Sequence, residues 1–207
     1  MKRIKISVPL PVAIPKLRFP GRQRLFKAAH ALKKGFRSIA GLSSERIRII
    51  ITGGTFDKHY DEIKGKFTFN DTHLPDILKD GRCKLPITLE MNRLIDSLNM
   101  THLDRLKILE LCQQISESYI IITHGTDTMV DTAVVLGRSG LKKTIVLTGA
   151  MIPYMIRHSD APFNLASSIV AVQTLPRGVY ICMNGAIFAW DNVRKNRRKG
   201  VFENIRG

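Results

Sequence analysis

Between Arg46 and Met183, short runs of Ile and Val alternate with stretches in which apolar residues return every three or four positions. Five runs predict strands: RIRIIIT at 46–52, LPITLEM at 85–91, YIIIT at 119–123, TIVLTG at 144–149 and GVYICM at 178–183. Their apolar residues are continuous rather than alternating, which marks strands covered on both faces. Helical spacing predicts helices over 103–117, 127–139 and 161–175. The Asn184-Gly185 pair turns the last strand back into AIFAW as a hairpin. This βαβα order predicts an α/β fold, a mostly parallel sheet with helices on both faces.

Two of these strands end alike, in IITGGTFD at 50–57 and IITHGTDT at 121–128, and a third ends in LTGAM at 147–151. In an open, doubly wound sheet of the Rossmann or flavodoxin kind, ligands bind beyond the carboxyl ends of the strands, where loops and helix N-termini converge. Thr52, Thr123 and Thr148 fall at that edge, each followed by small residues that let a ligand come close to backbone amides. For one segment alone, a tight turn and a helix cap explain the pattern; three coincident endings favour a site. TGGTFD matches neither GxGxxG nor GxxxxGK[ST], and FDKHYDEIKGKFTF does not open a helix, so a phosphate cradle fits poorly. What remains is an edge rich in hydroxyls, with an acid and nearby lysines, suited to nucleophilic chemistry.

Charge divides the chain. Of a net +16, residues 1–46 supply 12 Lys and Arg against the single acid Glu45, so most of the excess lies ahead of the first strand. Residues 1–45 are therefore expected to be a basic extension and residues 46–207 the folded domain. Within the extension Leu25, Phe26, Ala29, Leu32, Phe36 and Ile39 recur at helical spacing among Lys and Arg, the pattern of a basic amphipathic helix. Such a segment suits organelle targeting, a membrane surface or contact with nucleic acid, and equally an upstream piece with no role. No apolar run is long enough for a spanning helix. Cys83, Cys112 and Cys182 are widely spaced and the six histidines scattered, so neither a disulfide framework nor a metal site is suggested.

TGGT at 52–55, THGTDTM at 123–129, KTIVLTGAMIP at 143–153 and SDAPFNL at 159–165 stand in one order, and together they resemble the bacterial-type L-asparaginases over about residues 47–200. The chain resembles the N-terminal domain of that family in its short, single-domain form. The resemblance implies an amidohydrolase that converts L-asparagine to L-aspartate and ammonia through a threonine acyl-enzyme, with no cofactor and no metal. It implies Thr55 as nucleophile, Tyr60 as its helper from a loop that closes over the site, and Thr126, Asp127 and Lys143 as a second triad. Ser97 matches the serine that holds the substrate α-carboxylate, Asp127 the partner of its α-ammonium, and Gly54 and Gly125 flank the amides available for an oxyanion. Leu98 departs from the pattern, since longer members carry Gln after that serine.

The chemistry is consistent with these roles. A threonine hydroxyl needs an adjacent base to attack, and a desolvated lysine acting through a second threonine supplies one. Adjacent lysines on a strand point to opposite faces, so Lys143 and Lys142 cannot both reach Thr126. In longer members a neighbouring subunit's C-terminal domain completes the pocket; here a more open pocket or completion by a second copy is expected, and with it a cytoplasmic homo-oligomer. The alternatives are a glutaminase, an amidase related to glutamyl-tRNA amidotransferase, or a non-catalytic scaffold with a basic arm.

Overall fold

The structure, a computed structural model, describes residues 46–206. The expectation for residues 1–45 lies outside them. The central sheet has six strands: β1 (Ile47–Gly53), β4 (Ile87–Ile95), β5 (Tyr119–Thr123), β6 (Thr144–Thr148), β7 (Gly178–Met183) and β8 (Ala186–Ala189). Their order is β4-β1-β5-β6-β7-β8. All neighbours are parallel except β7 and β8, the hairpin expected at Asn184-Gly185.

The Ile-rich runs lie in the middle of this sheet because both of their faces are covered. Ile47, Ile49 and Ile51 of β1 pack with Ile121 and Val146 on one face, while Ile50 packs with Ile120, Ile122 and Leu147 on the other. Helices α1 (Leu74–Asp80) and α4 (Ala161–Thr174) cover the first face through Leu74, Ile77, Leu165 and Val172. Helices α2 (His102–Gln114) and α3 (Met129–Arg138) cover the second through Ile108, Cys112, Met129 and Leu136. Each fully buried Ile or Leu contributes roughly 1.5–3 kcal/mol of apolar burial.

The pattern of apolar residues predicts these strands and helices to within a few positions. Five short elements escape it: α1 and the pairs β2 (Lys58–Asp61) with β3 (Lys66–Phe69), and β9 (Arg194–Asn196) with β10 (Val201–Glu203). Strands of three or four residues, many of them charged, carry too little periodicity to be read. Two of them bear directly on the site. Among the described residues no helix is long and apolar enough to cross a membrane.

Candidate active site

The chain order reverses between β1 and β5: from β1 the sheet runs outward to β4 on one side and through β5, β6 and β7 on the other. Loops leaving the carboxyl ends of β1 and β5 diverge here and open the crevice in which such sheets bind ligands. The threonines that end the strands are not its lining. Thr52 Oγ1 donates to Thr123 O at 2.7 Å and Thr148 Oγ1 to Cys182 O at 3.0 Å, so their buried hydroxyls tie neighbouring strand ends together. The hydroxyls available for chemistry lie three residues further on.

Two glycine turns bring those hydroxyls to one place. Gly53 and Gly54 have φ of 93° and 82°, a conformation that favours glycine. A Cβ on Gly54 would lie 2.4 Å from Gly125 N, so the backbones of the turns after β1 and β5 touch. Thr55 and Thr126 each follow one of these glycines. A Cβ on Gly125 would lie 2.6 Å from Ser97 Oγ, which sets Ser97 against the same turn. Gly54, Gly125, Ser97, Thr55, Thr126 and Asp127 are thus assembled at one edge. Thr55 is partly exposed in a short 3-10 turn, Thr55–Asp57, and its hydroxyl makes no hydrogen bond among the described residues.

A lysine from far along the chain completes the group. Lys195 Nζ lies 2.7 Å from Thr126 Oγ1 and 2.9 Å from Asp127 Oδ1, and its side chain is only 10% exposed. It is carried by β9, whose neighbour Val193 and partner Phe202 are buried in the core on one side of the hairpin. Arg194 and Asn196 point the other way and meet Glu203. Gly137 seats the approach to this hairpin: a Cβ there would lie 2.1 Å from the Trp190 ring, so the indole rests directly on α3.

Lys143 does not join the site. It precedes β6, at the amino end of the sheet, and its ammonium donates to the carbonyl of Ile115. Five residues of extended chain, roughly 17 Å at 3.3 Å per residue, separate it from Thr148 at the carboxyl edge. Alternation along a strand fixes the face on which a side chain lies but not the end of the strand it occupies, and a site lysine must stand at the carboxyl end. Lys195 escapes a reading of the sequence because it sits in RKNRRK, one cation among many. The available signal was Val193-x-Lys195 opposite Phe202, a lysine sharing a strand face with apolar residues. Tyr60 lies on β2 rather than in an irregular loop; it is 50% exposed, its ring stands edge-on to Phe67 and its hydroxyl makes no hydrogen bond to Thr55.

Buried polar groups brace the edge from behind. His124 is fully buried, with Nδ1 2.8 Å from Gly125 O and Nε2 2.8 Å from Thr132 Oγ1. A carbonyl only accepts, so Nδ1 carries the proton and Nε2 accepts from the Thr132 hydroxyl. Burial pushes the imidazole down to about 4, which keeps it neutral. Asn164 Nδ2 donates to Gly149 O and its Oδ1 accepts Asn184 N–H, while Asp160 receives the Met151 and Ile152 amides. The SDAPFN stretch is therefore a clamp on the loops after β6 and β7. Asp96 links the other flank: burial opposes its charge, but the bond from Lys58 Nζ at 2.7 Å and that from Leu98 N–H hold its carboxyl below the usual range. Among the described residues no cluster of three His, Cys, Asp or Glu side chains is placed to hold a metal ion.

Residues 46–203 match the family described as "Asparaginase, N-terminal". The L-asparaginase 2 of Escherichia coli is 28% identical over 184 residues, 84% of this chain and 53% of that protein. A component of the glutamyl-tRNA(Gln) amidotransferase of Methanococcus vannielii is 34% identical over 168 residues, 76% of this chain and 38% of that protein. Among solved structures, the thermostable L-asparaginase from Thermococcus kodakarensis aligns with a TM-score of 0.69 at 26% identity, covering 78% of this chain and 52% of that one. The chain spans about half the length, or less, of these relatives.

Proposed function

Because the chain belongs to the asparaginase N-terminal family, we propose that its site hydrolyses the side-chain amide of L-asparagine through an ester on Thr55. The observation that carries this reading is Lys195 Nζ in contact with both Thr126 Oγ1 and Asp127 Oδ1. A threonine paired with a nearly buried lysine is a proton path, and solvated surface chemistry does not require one. In the proposed reaction Thr55 Oγ attacks the amide carbon and its proton passes to the leaving nitrogen, which departs as ammonia. Water then attacks the ester carbon and gives its proton back to Thr55 Oγ, releasing aspartate. Lys195 and Thr126 hold and move the proton of the attacking group, and Asp127 fixes Lys195 and offers a carboxylate to the substrate ammonium. Ser97 is assigned to the α-carboxylate and the amides near Gly54 and Gly125 to the oxyanion, where one donor is worth about 100- to 1,000-fold. Tyr60 remains the proposed helper of Thr55, supported by its place on the hairpin that follows the Thr55 turn.

A homo-oligomer is proposed as well. Its support is a run of exposed apolar side chains beside the site: Tyr60 and Phe67 in ring contact, Met155 accepting Tyr60 N–H, and Ile156. A reducing, cytoplasmic location is proposed on the three free thiols of Cys83, Cys112 and Cys182. One observation favours a second reading, amide turnover on a tRNA-linked substrate: Arg197, Arg198 and Lys199 are exposed on the turn beside Lys195, without an ion pair among the described residues. Ammonia release by the purified chain from asparagine, glutamine and glutamyl-tRNA with an amide donor tests both. Release from asparagine supports the first reading, and release from none of them overturns both.

A further inference from the structure

Asp57 stands two residues after Thr55, in the same 3-10 turn, and its side chain is fully buried. Residues in such a turn advance by about 120° each, so the carboxyl points well away from the Thr55 hydroxyl and into the protein. Oδ1 accepts the Thr72 hydroxyl at 2.8 Å and His73 N–H at 3.3 Å. Thr72 Oγ1 also accepts Leu74 N–H, the first residue of α1. The carboxyl is thus seated on the residues that open α1, while the turn is held on its other side by Gly54 N–H donating to Ile95 O. Oδ2 is buried with no partner among the described residues.

The surroundings do not neutralise it. Beyond the bonds from Thr72 and the His73 backbone N–H, His59 and Asp71 are the titratable groups whose fields reach the carboxyl. His59 stacks on His73 with ring centroids 3.9 Å apart, and His73 faces Tyr154, whose hydroxyl donates to Asp80. A bare buried oxygen is costly.

We propose that Asp57 is a positioning residue for Thr55: its carboxyl clamps the turn that carries the hydroxyl onto the start of α1, and the bare Oδ2 makes the clamp depend on whether the carboxyl holds a proton. The inference rests on the reading of Thr55 as the nucleophile. Protonated, the carboxyl sits in its buried seat at little cost; ionised, it carries a charge whose burial the bonds from Thr72 and His73 do not offset, so ionisation loosens the clamp. Burial pushes the group up to about 6, against the two hydrogen bonds and His59, which pull it down. The change of grip therefore falls at mildly acidic pH.

The experiment is a pH series of kcat and KM for ammonia release from asparagine, with Asp57→Asn, Asp57→Ala and Thr72→Val beside the wild type. In the wild type the Asp57 contribution to kcat falls as pH rises through about 6, where the carboxyl ionises. Asp57→Ala loses about 10- to 100-fold in kcat, the scale of a misplaced reacting group, with KM little changed. Asp57→Asn, which keeps an acceptor and cannot titrate, recovers most of that loss and lacks the limb. Thr72→Val, which leaves the carboxyl in place, falls between them. A folded Asp57→Ala protein with wild-type kcat, equal losses in the Asn and Ala variants, or a pH 6 limb that survives in Asp57→Asn each overturns the inference. Hydrogen-exchange protection of residues 54–57 separates it from the functional reading. Protection falls as pH rises through about 6 in the wild type and is lost in Asp57→Ala even if asparagine is not the substrate; protection unchanged by Asp57→Ala sinks the clamp whatever the activity.

Discussion

Lys195 Nζ and Thr126 Oγ1 lie 2.7 Å apart although 69 residues separate them in the chain. The contact joins a three-residue strand near the end of the described residues to the turn after β5, and on the proposed reading it selects Lys195 among many lysines. Lys195→Met should lower kcat for ammonia release by about 100- to 10,000-fold, the range of a lost acid-base group, with a much smaller effect on KM. Lys143→Met should turn over at close to the wild-type rate. The opposite ranking in a steady-state assay would return the proton path to the other end of β6.

Thr55→Val keeps the shape of the side chain and removes the oxygen. Turnover should fall to background while the thermal midpoint stays within a few degrees of wild type, since the hydroxyl makes no hydrogen bond among the described residues. Ammonia release alongside circular dichroism melting checks it; normal release from a folded variant would move the nucleophile elsewhere.

His124 should make the fold acid-sensitive. Its pKa falls from 6.5 in the unfolded chain to about 4 in the buried site, so the unfolded state binds the extra proton first. The stability it supports is complete above about pH 6.5 and is lost as pH falls toward 4, on the order of 2 kcal/mol by pH 5. Asp57, raised from 3.8 to about 6, works in the opposite sense over an overlapping window: its contribution is present below about 4 and lost as pH rises through 6. Urea unfolding at pH 7 and pH 5 should show a smaller acid loss in His124→Gln and a larger one in Asp57→Asn than in wild type.

Gly137→Ala sets two effects against each other. Alanine gains about 1 kcal/mol of helix propensity in α3. The added methyl would meet the Trp190 ring at 2.1 Å, and overpacking of this kind costs about 1–3 kcal/mol. Overpacking should win, so the melting temperature falls, and because Trp190 precedes β9 the displacement should also reduce kcat through Lys195. A stabilised variant of full activity would mean that the indole yields without cost.

The long elements were legible because their physics is local and repetitive. Ile47 to Ile51 and Tyr119 to Ile122 announce buried parallel strands by composition alone, and the glycines at 53, 54 and 125 announce turns that admit close approach. Ser97 and Asp127 reached the edge expected of them. Lys195 did not announce itself, because a site lysine is selected by a tertiary contact and a strand of three residues has almost no pattern. The strand-end threonines misdirected in the other sense: Thr52 and Thr148 looked like site hydroxyls, but they are consumed in bonds between strands. Asp57 was visible only as an acid after TGGT, since nothing in the order of residues tells that Thr72 will meet it.

The delivery of Lys195 by the β9–β10 hairpin has a consequence for how the proposed site is assembled. The six-stranded sheet is complete at Ala189, before the lysine appears in the chain. The edge that carries Thr126 and Asp127 thus precedes its lysine in the chain, and the proposed proton path closes only when Val193 and Phe202 dock. On that reading hydrolytic competence rests on the seating of a short hairpin as well as on the sheet, so an assay of folded mass is no measure of it.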